Sequence, residues 1–256
     1  MQRTLTQINI DDFPAVFRPI LSGVSVYDSS CSNEARVWYI ERGNGYFLKK
    51  APKGKLQNEA ALTRFFHLKG FGAELLCCES LEDDWMLTAR VRGEDCTHEE
   101  YLRHPERLCD TIAERLRMLH DTPFDGCPVE NRTAQYLQTA FHNRLHRQNV
   151  AGWGYDSVEE AWHAVSENAH LLKADTLIHG DYCLPNIMLD NWRFTGFIDP
   201  GGGGVGDRHI DLFWGAWSLG YNLKTDAYRS RFFDAYGRDK IDEDMLKIIA
   251  AVEVFM

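Results

Sequence analysis

The sequence predicts an α+β chain with a small antiparallel sheet toward the N-terminus and helices over most of the remainder. Two observations carry this. From residue 24 to residue 90, short apolar runs alternate with turn residues. Segments 36–41 and 46–49, joined by Arg42-Gly43-Asn44-Gly45, read as a hairpin. After residue 92 the apolar residues recur three and four apart, as in Leu108, Ile112, Leu116 and Leu119. The change of period places a domain boundary there, giving domains 1–91 and 92–256.

Each element follows from its local signals. Residues 1–23 are a short lead-in with a helix start at Asp11-Asp12-Phe13-Pro14. The small polar loop 28–33 fits either an ordinary turn or backbone N–H groups laid over phosphates. Lys49 closes the second strand of the hairpin, and a helix running to about Leu68 carries Glu59 with Leu62, Phe65 and Phe66 on its apolar side. Segments 73–80 and 85–90 form a second hairpin across Glu82-Asp83-Asp84, leading into the crossing at 88–94. Helices are expected at 105–120, 133–148, 210–219, 225–236 and 242–256. The histidines at 104, 120, 142, 146 and 163 are scattered on helices and suggest structural or surface roles.

Composition narrows the class. The chain has 256 residues, 44% hydrophobic and 26% charged, as in ordinary globular proteins. No apolar run approaches the ~20 residues of a membrane span, and the N-terminus shows no signal peptide. Seven cysteines with no C-x-x-C pair point to reduced thiols in a cytoplasmic protein, away from zinc sites and disulfide frameworks. A net charge of −10 disfavours nucleic acid and anionic membrane as partners and suits a cationic small molecule. Nothing in the sequence reads out an oligomeric state.

The chemistry concentrates in residues 177–211, LIHGDYCLPNIMLDNWRFTGFIDPGGGGVGDRHID. His179-Gly180-Asp181 is followed five residues later by Asn186, and then by Asp199 before a glycine run. The pattern H-x-D-x-x-x-x-N, a hairpin, and an aspartate near glycine is the base and metal apparatus of kinase-type phosphoryl transfer. A phosphoryl group in flight spreads charge over its oxygens, so the protein must supply metal and a positioned nucleophile. Asp181 would orient the acceptor hydroxyl and take its proton, while Asn186 and Asp199 bind Mg2+. A hairpin turning at Asp190-Asn191 would bring those two ligands side by side. A lone His-Gly-Asp is usually a turn; the complete set at this spacing reverses that reading.

The upstream half of such a site is a strand lysine on the ATP phosphates held by a helix glutamate, here Lys49 and Glu59. Lys50, Lys53 and Lys55 compete, and Lys49 is preferred for its place in the strand. Backbone groups of Ala89 and Val91 at the crossing would hold adenine. The glycines at 201, 203 and 206 also spell the dinucleotide motif G-x-G-x-x-G, with Asp226 about twenty residues on. That motif belongs in an early βαβ unit, whereas this one follows an antiparallel hairpin late in the chain. The glycines are therefore expected to form a flexible loop. Asp211, just beyond, is expected to brace the catalytic loop by accepting backbone N–H bonds.

At HGDYCLPNIM, RFTGFID and GVGDRHID the chain resembles the aminoglycoside phosphotransferases, and within them the 3′-phosphotransferase branch. The resemblance runs nearly end to end, through the 47–49 strand, Asp84-Trp85, Gly93-Glu94-Asp95 and the apolar terminus. It implies a two-lobe protein-kinase-like fold using ATP and Mg2+, with Lys49, Glu59, Asp181, Asn186 and Asp199 all matched. The substrate side departs from that pattern. Two glutamates of the family fall near Ala151 and Gly154, an Arg-Asp pair near Trp217 and Ser218, and an Asp-Glu pair at Glu253-Val254. An arginine of the family is Gly202. Asp156, Glu159, Glu160, Asp207 and Glu253 remain as carboxylates for a cationic acceptor, with Trp217 as a lining residue. Each lost charge-assisted contact is worth ~1.5–3 kcal/mol. The alternative acceptor is another hydroxylated small molecule.

Overall fold

Strands dominate the first part of the chain in this computed structural model, which describes residues 3–31, 33–146 and 149–256. In order they are β1 (Thr4–Leu5), α1 (Arg18–Leu21), β2 (Val26–Asp28), β3 (Arg36–Ile40), β4 (Tyr46–Pro52), α2 (Gln57–Leu68), β5 (Leu75–Ser80), β6 (Asp83–Ala89) and β7 (Glu94–Asp95). Next come α3 (Glu99–Leu102), α4 (Pro105–His120), α5 (Arg132–Asn143), α6 (Val158–Asn168) and β8 (Thr176–Ile178). The chain finishes with β9 (Ile187–Asp190), β10 (Arg193–Phe197), β11 (Gly204–Gly206), α7 (Arg208–Leu223), α8 (Arg229–Tyr236) and α9 (Glu243–Glu253). Two units result. The first runs to Asp95 and takes in Met188–Gly201; the second comprises Cys96–Ile187 and Gly202–Met256.

In the first unit β1-β2-β3-β4-β6-β5 form one antiparallel sheet. The period of two sends alternate residues to opposite faces. Trp38, Ile40, Leu48, Trp85 and Leu87 share one face, where Phe13, Phe17 and Leu21 of the lead-in cover them. Trp38 and Trp85 stack there, with ring centroids 5.9 Å apart. Each large side chain so buried contributes roughly 1.5–3 kcal/mol. The lead-in is thus the lid of a core, and its expected helix start is a single 3-10 turn at Ile10–Asp12.

The opposite face receives α2 through Ala51, Leu56, Ala60 and Met86. No local side chain caps α2. Asp84 of β6 does so from across the sheet, accepting the Leu56 N–H at 3.0 Å and the Ser80 hydroxyl at 2.6 Å. Burial alone would raise the Asp84 pKa, but these donors hold it below the usual carboxylate range. Lys49 does not close β4 as expected. Lys50, Ala51 and Pro52 keep pairing with Trp85, Asp84 and Asp83, so Lys49 sits mid-strand between Val37 and Met86.

A second sheet, β10-β9-β7, holds the segment that leads to Asp199. The β9–β10 hairpin turns one residue later than expected, at Asn191 and Trp192, whose φ angles of 50° and 67° are both left-handed. Two such residues are the mark of the tight hairpin turn whose twist matches its strands.

The second unit is helical. Leu108, Ile112, Leu116 and Leu119 of α4 are all buried, and α4 packs on α8. Tyr136, Ala140, Ala161, Val165, Ile249, Val252 and Phe255 form the core joining α5, α6 and α9. Helix α5 stops at Asn143, short of the expected end; residues 147 and 148 lie outside the described residues, as does Ser32 of the loop at 28–33. The glycine run is not a flexible loop. Pro200–Gly202 make a 3-10 turn and Gly204–Gly206 pair antiparallel with β8. A Cβ on Gly204 would lie 2.8 Å from the Val129 side chain, and one on Gly206 2.5 Å from Ile178. The glycines serve close packing. Among the described residues no helix is long and apolar enough to cross a membrane.

Candidate active site

Lys49 lies on the α2 face of the first sheet, and Glu59 enters from the first turn of α2. The Lys49 ammonium donates to Glu59 at 2.7 and 2.9 Å, and to Asp199 Oδ1 at 3.5 Å. The competitors are elsewhere: Lys50 pairs with Asp83 at 2.7 Å, and Lys53 and Lys55 are exposed. Burial pulls the Lys49 pKa down, but the charges of Asp199 and Glu59 outweigh it and hold it above its ordinary value. The Glu59 pKa is also raised, because burial and the Asp199 charge together exceed the help it gets from Lys49. The two directions agree once the cluster is counted whole: two carboxylates share one cation.

Asp199 keeps a side chain 58% exposed while its backbone sits at φ +53°. Such a conformation costs an ordinary residue energy and is held by its surroundings. Gly201 follows, where a Cβ would approach Glu59 at 3.3 Å. Near the end of β6, the Ala89 N–H donates to the Glu74 carbonyl at 3.0 Å and Val91 is buried. An adenine contact from Ala89 therefore falls to its carbonyl.

In the second unit, the loop carrying Asp181 is held from α7 as expected. Asp211, fully buried, accepts the N–H groups of His179 and Gly180, both at 2.7 Å. His120 of α4 lies 3.2 Å from the same carboxylate through Nε2 and 2.8 Å from the Tyr236 hydroxyl through Nδ1. Burial pushes the His120 pKa down, so the ring is neutral. With Asp211 as an obligate acceptor, Nε2 carries the proton and Nδ1 accepts from Tyr236. Ser218 of α7 accepts the Leu184 N–H at 2.9 Å, and the Tyr182 hydroxyl donates to the Ile112 carbonyl at 2.7 Å. Gly180 has φ +79°, and a Cβ there would fall 1.7 Å from the Gly202 carbonyl. No other residue fits.

Asp181 itself is exposed. Asn186 donates its amide to Asp181 Oδ2 at 2.8 Å and to the Asp181 carbonyl at 2.9 Å. Its nitrogen is thereby committed and its oxygen turned away from that carboxylate. An amide oxygen and carboxylates are the hard donors Mg2+ prefers. Among the described residues no three His, Cys, Asp or Glu side chains converge as a protein-only metal cage. Mg2+ at nucleotide sites is held by one or two carboxylates plus phosphates, so these residues fit it.

The expected substrate residues occupy different settings. Glu253 is only 8% exposed, accepts the Tyr136 hydroxyl at 2.6 Å and the Trp214 indole at 3.1 Å, and burial pushes its pKa up to about 7. Trp217 is 40% exposed on α7. Asp156 and Glu160 are exposed at the start of α6, where the Glu160 carboxylate accepts the Asp156 N–H at 3.0 Å and the Glu160 N–H donates to Ser157 at 3.1 Å. That reciprocal pair is a variant of the capping box, and Ser157-x-x-Glu160 announces it in the sequence. Asp207 caps α7 and accepts the Lys173 N–H at 2.7 Å. The partners of Asp84, His120, Tyr236 and Ser218 escape a sequence reading, because they lie far away along the chain.

The sequence profile of the phosphotransferase enzyme family, APH, matches residues 30–247. A probable aminoglycoside 3′-phosphotransferase of Lactococcus lactis subsp. lactis (strain IL1403) is 46% identical over 254 residues, 97% of each chain. The aminoglycoside 3′-phosphotransferase of Niallia circulans is 29% identical over 178 residues, 67% of each. Among solved structures, an aminoglycoside-3′-phosphotransferase of type VIII superposes with a TM-score of 0.79 at 21% identity, covering 96% of this chain and 99% of that one. A Streptomyces rimosus aminoglycoside phosphotransferase in complex with ADP and streptomycin gives 0.72 at 20%, covering 86% and 90%. With the α+β fold shared by these structures and the profile matched over most of its length, the chain belongs to the aminoglycoside phosphotransferase family.

Proposed function

We propose that this protein transfers the γ-phosphate of ATP to a hydroxyl of an aminoglycoside-type antibiotic, as a cytoplasmic 3′-phosphotransferase requiring Mg2+. The observation that carries the reading is the Lys49 ammonium held between Glu59 and Asp199. Nucleotide binding is assigned to residues 1–91, with Lys49 on the phosphates, Glu59 orienting it, and Ala89 and Val91 on adenine. Catalysis and acceptor binding are assigned to residues 92–256. Asp181 accepts the proton of the acceptor hydroxyl as its oxygen bonds to the γ-phosphorus in line with the departing ADP oxygen. Asn186 and Asp199 would hold Mg2+, which neutralises charge on the phosphate oxygens when bound. Asp156, Glu160, Trp217 and Glu253 are the proposed acceptor-side residues, suited to a cation.

The test is ATP turnover by the purified protein across kanamycin-type aminoglycosides, 3′-deoxy controls, uncharged sugars and nucleosides, with products checked by mass. A phosphate added to kanamycin and not to its 3′-deoxy analogue is the expected result. ATP binding with no aminoglycoside modified would overturn the acceptor assignment and favour another hydroxylated small molecule. The commitment of Glu253 to Tyr136 and Trp214 is the feature that favours that second reading.

A further inference from the structure

The face of the first sheet that carries Lys49 also carries a row of aromatic side chains. Pairing runs straight across β2, β3, β4 and β6, with Tyr27 opposite Tyr39, Tyr39 opposite Phe47 and Phe47 opposite Thr88. Residues two apart on a strand share a face, so Phe47 and Lys49 stand on the same side, about 7 Å apart along β4. The rings follow one another closely, with centroids 5.9 Å apart from Tyr27 to Tyr39 and 5.3 Å from Tyr39 to Phe47. Gly45 leaves room for Tyr39, since a Cβ there would lie 2.7 Å from that ring.

Arg3 reaches this row from the edge of the sheet. Strand β1 pairs with β2, Leu5 opposite Tyr27 and Thr4 opposite Asp28, and Arg3 stands one residue before it. Its guanidinium lies 3.9 Å from the centre of the Tyr39 ring and 5.7 Å from that of Phe47. The electron-rich face of a ring attracts and orients such a planar cation. The charge itself is uncompensated. No carboxylate among the described residues forms an ion pair with Arg3, and its Nε is buried without a hydrogen-bond partner. Glu41, the acid that reaches this row, accepts the Tyr27 hydroxyl at 3.1 Å. Lys49 differs, being shared by Glu59 and Asp199, and so has little positive charge left over for a polyphosphate.

We propose that Arg3 is a nucleotide-binding residue whose guanidinium pairs with phosphate oxygens on the Lys49 face of the first sheet. This rests on the nucleotide assignment made above and adds a second cation to it. A planar guanidinium held by its face keeps its edge donors for an anion, and it meets phosphate through parallel N–H···O bonds. Because Arg3 arrives from β1, across β2, no motif around Lys49 or Asp181 announces it.

The test measures Kd for ATP, ADP, AMP and adenosine, each with Mg2+, in the wild type, Arg3→Ala and Arg3→Gln. Glutamine keeps a flat amide for the Tyr39 ring and removes the charge, so it separates pairing from packing. Both variants are expected to bind ATP about 10- to 100-fold more weakly, with smaller losses for ADP and AMP and adenosine unchanged within twofold. Wild-type ATP affinity in Arg3→Gln, tighter ATP binding in Arg3→Ala, or an equal loss for adenosine overturns the phosphate pairing, while MgATP binding by the wild type leaves the nucleotide assignment intact. Absence of MgATP binding in the wild type overturns that assignment and this inference with it.

Discussion

Two carboxylate clusters organise this molecule, and they are built on opposite rules. In the sheet unit, Glu59 and Asp199 converge on one ammonium, and Asp199 is left more than half exposed. In the helical unit, Asp211 is fully buried, accepts two backbone N–H groups and faces a neutral His120. The first cluster holds more negative charge than it neutralises, which suits the metal and phosphate proposed for it. The second is saturated by its own chain and positions a loop. Exposure and unmet charge separate a ligand-facing group from a scaffold group of the same chemistry.

The sharpest break of this contrast is at Asp181. Asp181→Ala is expected to lower turnover by about 10²–10⁴-fold with nucleotide affinity retained; turnover near wild type would remove Asp181 from the base role. Next come matched changes in the two clusters. Asp199→Asn tolerates the left-handed backbone, so unfolding by urea should shift by less than ~1 kcal/mol while Mg2+-dependent nucleotide binding is lost. Asp211→Ala should destabilise by about 3–5 kcal/mol, because it strands two backbone donors and the His120 N–H. Equal stability losses in both variants would erase the distinction.

A third test concerns Glu253, which belongs to neither cluster. Its pKa rises from an ordinary 4.5 to about 7 through burial, opposed by Tyr136 and Trp214 and aided by the Asp181 charge. A raised carboxyl pKa contributes stability that is full below 4.5 and is lost as pH rises through 7. At 1.36 kcal/mol per pH unit the whole swing is on the order of 3 kcal/mol. Thermal melts from pH 5 to pH 8 should show Glu253→Gln losing much less stability than wild type; parallel curves would contradict it. The smallest expected effect is at Glu160, where alanine should cost about 0.5–1 kcal/mol through the α6 cap. A larger change in acceptor KM than in melting temperature would move Glu160 from helix cap to acceptor contact.

What a reader of the sequence recovers follows from distance along the chain. Helix 105–120 is legible to the residue, because the period of its leucines and Pro105 at its start are local signals. The spacing of Asp181 and Asn186 is likewise local, and the two do hydrogen-bond. Lys49 was harder: its strand continues through Lys50 because Asp83 and the Trp85 ring accommodate that second ammonium from the neighbouring strand. The glycine run read as loose, since the tight contacts with Val129 and Ile178 that explain it lie outside any local window. Asp84 and His120 look like surface charge and helix filler until their partners, 28 and 91 residues away, are brought to them.

The burial pattern along α7 has an evolutionary consequence. Asp211 and Ser218 accept backbone N–H groups of the Asp181 loop, and a Cβ on Gly215 would lie 2.8 Å from the Phe232 ring and 3.2 Å from that of Tyr182, so all three have little freedom to vary. Residues 217 and 221, one step round the same helix, end in solvent. Point mutations at these two exposed positions leave untouched the hydrogen bonds that hold the Asp181 loop. A lineage can therefore vary this exposed face by single steps while the contacts that hold the Asp181 loop are inherited intact on the neighbouring face of one helix.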